Sequence, residues 1–111
     1  MTRQFIRSKS FETQWYNMGL TDNDLMEFED YLLVNPNAGD KISGTGGAVK
    51  VRWSVGNNKG KRGGSRVIYI DLIEKSHIHL LICYPKSKQD NLTPEQKKKL
   101  KQIIDKIKKE S

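Results

Sequence analysis

Lys50 and Arg52 alternate with Val49, Val51 and Trp53, so a strand through residues 49–54 turns apolar side chains one way and Lys50, Arg52 and Ser54 the other. Cations held side by side on a strand suit one chemistry: gripping phosphate oxygens and stabilising the charge that builds on a phosphate under attack. The same spacing describes an ordinary solvated strand face, and spacing alone does not choose. The following loop, residues 55–65 (VGNNKGKRGGS), carries Lys59, Lys61 and Arg62, which read as phosphate contacts or as charges that keep a hairpin loop soluble. Its GNNKGKR core is not a nucleotide-binding loop. Three residues rather than four separate the glycines, no Ser or Thr follows Gly60-Lys61, and the loop joins strand to strand. His77, His79 and Cys83 share a parity further on, but three residues on one strand without a nearby carboxylate are a poor metal template, and no metal or cofactor is expected. Either histidine is a candidate general base, or a sheet-face residue near a turn.

The charge distribution supports a polyanionic partner. Residues 1–40 hold three basic and seven acidic side chains, net −4, whereas residues 41–111 hold 17 basic and six acidic, net +11. A field of that size draws phosphates, so nucleic acid or an acidic protein is the natural expectation, beside the plain reading of a lysine-rich surface. A length of 111 residues, 35% hydrophobic and 30% charged, fits one folded domain spanning 1–111 and excludes a disordered chain. Cys83 is the only cysteine and the N-terminal residues lack the apolar core of a signal peptide, which points to a reducing cytoplasm. The longest apolar stretch, 80–83, is far short of the roughly 20 residues that span a bilayer, so membrane insertion is excluded.

The elements that must hold these side chains follow from period and punctuation. Residues 3–7 read as an edge strand. Phe11, Trp15 and Met18 lie at helical spacing, and Gly19 ends that helix. Thr21 caps a second helix with Asp24 completing the box. Leu25, Phe28 and Leu32 form its apolar face, Asp24, Glu27, Glu29 and Asp30 make it acidic, and it stops near Asn35-Pro36. Residues 39–47 read as a Gly/Ser loop. Residues 48–84 form an antiparallel three-strand meander with the middle strand, from Arg66 to Ile73, central, and Pro85 ends its last strand. Thr93, Pro94 and Gln96 start a last helix with Leu100, Ile103, Ile104 and Ile107 on one face and Lys97, Lys98, Lys99, Lys101 and Lys108 on the other. The fold class is α+β: a twisted antiparallel β-sheet with two N-terminal helices and a C-terminal helix, helices packed on one face and a basic concave face left open.

Three stretches, NPNAGDKISGTGGAVKVRW, GKRGGSRVIYI and LLICYPKSKQDNLTPEQ, together resemble HigB-type toxins of the RelE/ParE superfamily, and the likeness runs over nearly the whole chain. It implies a RelE-like fold and a toxin of a type II toxin–antitoxin pair: a ribosome-dependent endoribonuclease that cuts messenger RNA in the small-subunit decoding site. It also implies restraint by a cognate antitoxin, a helix-turn-helix, HigA-like protein. The family's basic site positions fall on Lys50, Arg52 and Arg66, and its tyrosine and lysine at the end of the last strand on Tyr84 and Lys86. RelE carries a further tyrosine and arginine where this chain has Thr93 and Ser87, and Lys88 is the candidate replacement for the missing cation.

Metal-free RNA cleavage needs a base for the ribose 2′-hydroxyl, cations for the pentacoordinate phosphate and an acid for the departing 5′-oxygen. Arg52 and Arg66 suit the second task, since a guanidinium stays charged and grips in a fork. A lysine packed among cations gives up its proton more readily, which makes Lys50 or Lys86 a candidate base or acid. Tyr84 is placed to stack on a base or share a proton. Arg66 and Tyr84 also read as hairpin-end residues lying over the core. Two alternatives stand beside the nuclease: a non-catalytic ParE-like inhibitor of DNA gyrase on the same fold, and a plain RNA-binding protein.

Overall fold

The computed structural model describes residues 3–54, 64–89 and 91–110, and its helices begin where side chains take over otherwise orphaned N–H groups. Ser8 accepts from Phe11 N at 3.0 Å to start α1 (Lys9–Asn17), and Gly19, with φ +83°, lets the chain leave it. Thr21 and Asp24 form the expected reciprocal box ahead of α2 (Asp22–Val34), at 3.1 and 2.8 Å. Thr93 and Gln96 do the same for α3 (Pro94–Glu110), at 3.1 and 2.9 Å.

The strands are β1 (Gln4–Arg7), β2 (Asp40–Lys41), β3 (Val49–Trp53), β4 (Ser65–Leu72) and β5 (His77–Pro85), in the sheet order β1-β5-β4-β3-β2. The meander β3-β4-β5 is present with β4 in the middle. β1 pairs in parallel with β5, so the sheet is mixed rather than wholly antiparallel. Arg3 with Asp71, and Arg7 with Glu29 through two 2.9 Å hydrogen bonds, tie β1 to β4 and α2. β2 pairs with β3 inside the stretch expected as loop. It reaches β3 through Gly39, whose φ is +90° and where a Cβ would run into the Lys50 carbonyl.

The expectation that all helices share one face is overturned. α1 and α2 pack Phe11, Trp15, Leu25, Phe28 and Leu32 against Val51, Val67, Tyr69, Ile78, Leu80 and Cys83 on one side of the sheet. α3 brings Leu100 and Ile104 onto Ala48, Ile68, Ile70, Leu81 and Tyr84 on the other, while Ile103 of the expected stripe is 43% exposed. The reason lies in β4, where Val67-Ile68-Tyr69-Ile70 is apolar on both parities and both faces need cover. In β5 a bulge at Leu81 sits between the pairs Tyr69↔Leu80 and Ile68↔Ile82 and flips the facing, so Leu80 and Cys83 share a side despite opposite parity. α1 takes up backbone groups there: Ser8 Oγ donates to Leu81 O at 2.7 Å, and Gln14 Oε1 accepts from Cys83 N at 3.0 Å.

Candidate nucleic-acid interface

Because Val51 is buried under α1 and α2, Lys50 and Arg52 face the α3 side of the sheet. α3 packs on that face against Ala48, Ile68, Ile70, Leu81 and Tyr84. Register does the rest. Arg52 pairs with Arg66 and Arg66 with Tyr84, forming one rung across β3, β4 and β5, and Lys50, opposite Ile68, stands one alternation along on the same face. Strands about 4.8 Å apart put the outer members of the rung about 10 Å from each other. Lys86 follows at once, its N–H donating to Gly64 O at 3.2 Å, and Lys88 N donates to Pro85 O at 3.0 Å.

Access along the rung is unequal. Arg52, Lys86 and Lys88 are exposed and Lys50 is half-buried, whereas Arg66 is 2% exposed and Tyr84 7%. Tyr84 belongs to the α3-side core together with Leu92, so the connection from β5 to α3 folds back over this end of the sheet. Lys50 Nζ donates to Asn91 Oδ1 at 2.9 Å, a contact that residue types did not foretell: an asparagine in a polar connection carries no local sign of its partner. Arg66 and Tyr84 are thus both rung members and core residues. Ser87 is exposed in the turn, and the Thr93 hydroxyl accepts from Gln96 N to cap α3. Lys59, Lys61 and Arg62 lie outside the described residues.

The other candidates are drawn away. His77 and His79 lie on the α3 side but towards the far end of β5, opposite Leu72 and Ile70. Tyr84 is five positions beyond His79, about 16 Å along a strand. Neither histidine is within reach of a proton handled at the rung. Burial, then the neighbouring His77, lowers the His79 pKa below its ordinary value, and its Nε2 is buried without a hydrogen-bond partner. The bulge sends Cys83 to the opposite face, where burial pushes its thiol up to about 12 and its Sγ lies 3.5 Å from Phe11 O. Among the described residues no group of three or more His, Cys, Asp or Glu is gathered as a metal site. A shallow depression lined by Tyr31, Val34, Asn35, Pro36, Asn37 and Ala38 lies at the end of α2 and contains none of these residues.

No protein-family profile matches the chain. Among solved structures it is similar to the toxin RelE of E. coli, a doubly substituted variant in the free state, with a TM-score of 0.55 and 14% identity over 80% of this chain and 88% of that one. At that identity the likeness establishes the fold: this is an α+β protein of RelE-like architecture. Among the described residues no helix is long and apolar enough to cross a membrane.

Proposed function

We propose that the chain is a toxin of a type II toxin–antitoxin pair, of HigB type, acting in the cytoplasm as a metal-independent, ribosome-dependent messenger endoribonuclease. Its unit is one domain over residues 1–111, its substrate messenger RNA in the small-subunit decoding site, and its restraint a helix-turn-helix, HigA-like antitoxin. The observation that carries this reading is the rung: Arg52, Arg66 and Tyr84 in register on three strands, with Lys50 beside it and Lys86 following. Arg52 and Arg66 supply the fork that holds the phosphate and takes up its growing charge. The 2′-oxygen attacks phosphorus as its proton passes to a base. The bond to the 5′-oxygen breaks, and that oxygen takes a proton from an acid, leaving a 2′,3′-cyclic phosphate and a 5′-hydroxyl. Lys50 and Lys86 flank the rung and take these two roles. Tyr84 stacks on or orients the substrate, while Lys88, with Lys59, Lys61 and Arg62 of the preceding loop, contacts phosphates along the strand.

The burial of Arg66 and Tyr84 favours a second reading, a non-catalytic occupant of the same fold such as a ParE-like gyrase inhibitor or a plain RNA-binding protein. Primer extension on messenger from cells briefly expressing the protein separates them. Cuts inside translated frames that vanish in Arg52→Ala and Lys86→Ala support the nuclease, and arrested replication with intact messenger overturns it.

A further inference from the structure

Given the nuclease reading, on which this step rests, we infer that Asn91 is a positioning residue that fixes the Lys50 ammonium beside the rung and wires it to the start of α3. A lysine side chain carries about 2 kcal/mol of rotamer entropy, so each hydrogen bond to its ammonium narrows the positions it samples. Asn91 Oδ1 accepts from its Nζ at 2.9 Å. Being a neutral carboxamide, it restrains the ammonium without cancelling a charge that the phosphate needs. Asn91 is itself held from two sides. Gln89 Nε2 donates to Asn91 O and to Gln96 Oε1, both at 2.9 Å, and Gln96 Oε1 also accepts from Thr93 N at 2.9 Å within the α3 cap. On the other side Leu92 is buried in the core that contains Tyr84. The path Lys50–Asn91–Gln89–Gln96–Thr93 therefore joins β3 to the first turn of α3, and Asn91 is where it meets the cations. Asn91 is exposed, so its side chain contributes little core packing, and its place is explained by what it holds.

A double-mutant cycle on the full chain tests this, reading single-turnover cleavage of messenger in purified ribosome complexes with wild type, Asn91→Ala, Lys50→Ala and the pair. Asn91→Ala is expected to slow cleavage about tenfold at saturating protein, with the half-saturating concentration and the melting temperature unchanged. In the Lys50→Ala background the same change is expected to cost under about twofold, because the group it positions is gone. Two losses that multiply overturn the inference. Side-chain order parameters at Lys50 Cε, read by NMR, supply a second readout: they are expected to fall in Asn91→Ala while those of Lys86 stay unchanged. If Lys50→Ala leaves no measurable rate, this arm decides, and an unchanged order parameter at Lys50 overturns the inference. Wild-type protein that leaves messenger intact on the ribosome sinks the nuclease reading and this inference with it. Wild-type cleavage with multiplying losses sinks only the role of Asn91.

Discussion

The two faces of the sheet are covered differently, and the difference separates stability from chemistry. Under α1 and α2 lies a sealed aromatic core in which Phe11 stacks on Trp15 at 5.5 Å, Trp15 meets Phe28 at 5.9 Å, and Phe28 meets Trp53 edge-on at 5.1 Å. Trp15 Nε1 donates to Thr21 O at 3.0 Å, so its polar atom is satisfied inside the fold. Under α3 the core is smaller and aliphatic apart from Tyr84, and it ends at a rung of cations. The acidic helix α2 sits behind the first face, with Glu29 occupied by Arg7, whereas Asp40 of β2 stands directly opposite Lys50 in the sheet. A face sealed by aromatics bears substitution badly and offers nothing to a ligand. A face closed by one helix leaves an end where charge meets solvent.

Breaking the first face should have the largest effect. Trp15→Ala removes the centre of the aromatic chain and is expected to cost about 3–5 kcal/mol in denaturant unfolding, enough to unfold a chain of this size near its limit. A loss below about 1 kcal/mol would show that this core is not the main source of stability. Ile104→Ala, the counterpart under α3, should cost about 2–4 kcal/mol. If it equals or exceeds Trp15→Ala, the ranking of the two faces is reversed. Under the proposed nuclease activity, Arg52→Ala, at an exposed position on the rung, should lower messenger cleavage about hundredfold, roughly 2.7 kcal/mol in the transition state, while moving stability by less than about 0.5 kcal/mol. Loss of both in parallel would make Arg52 a structural residue.

The smallest expected effect is on pH dependence. The pKa of His79 is lowered in the fold from 6.5, so the unfolded chain takes up a proton that the folded chain resists. Stability is then full above about pH 6.5 and declines as pH falls below it, levelling only beneath the folded value. His79→Leu should flatten unfolding free energy between about pH 6.5 and 5, and an unchanged slope would assign the decline to other groups.

Much of this was legible in local pattern. The caps at Thr21 and Thr93, the apolar stripe of α2 and the alternation of β3 are decided by neighbours within four residues, and each stands where spacing puts it. The cover of both sheet faces was missed: the unbroken apolar run Val67-Ile68-Tyr69-Ile70 is the mark of a strand buried on both sides, but the α3 stripe by itself did not say which face it takes. The parity shared by His77, His79 and Cys83 does not carry into space, because a one-residue bulge at Leu81 reverses facing without any change in residue type.

The sequence by itself determined the helices, four of the five described strands, the side of β3 that carries Lys50 and Arg52, and the acidic and basic parts of the chain, because these depend on period and charge along short stretches. Only the tertiary structure decided that Arg52, Arg66 and Tyr84 form one rung, that Arg66 and Tyr84 are buried, and that Asn91 holds Lys50. Those are outcomes of strand register and of the path between β5 and α3. They join residues up to 41 positions apart, where no local preference acts.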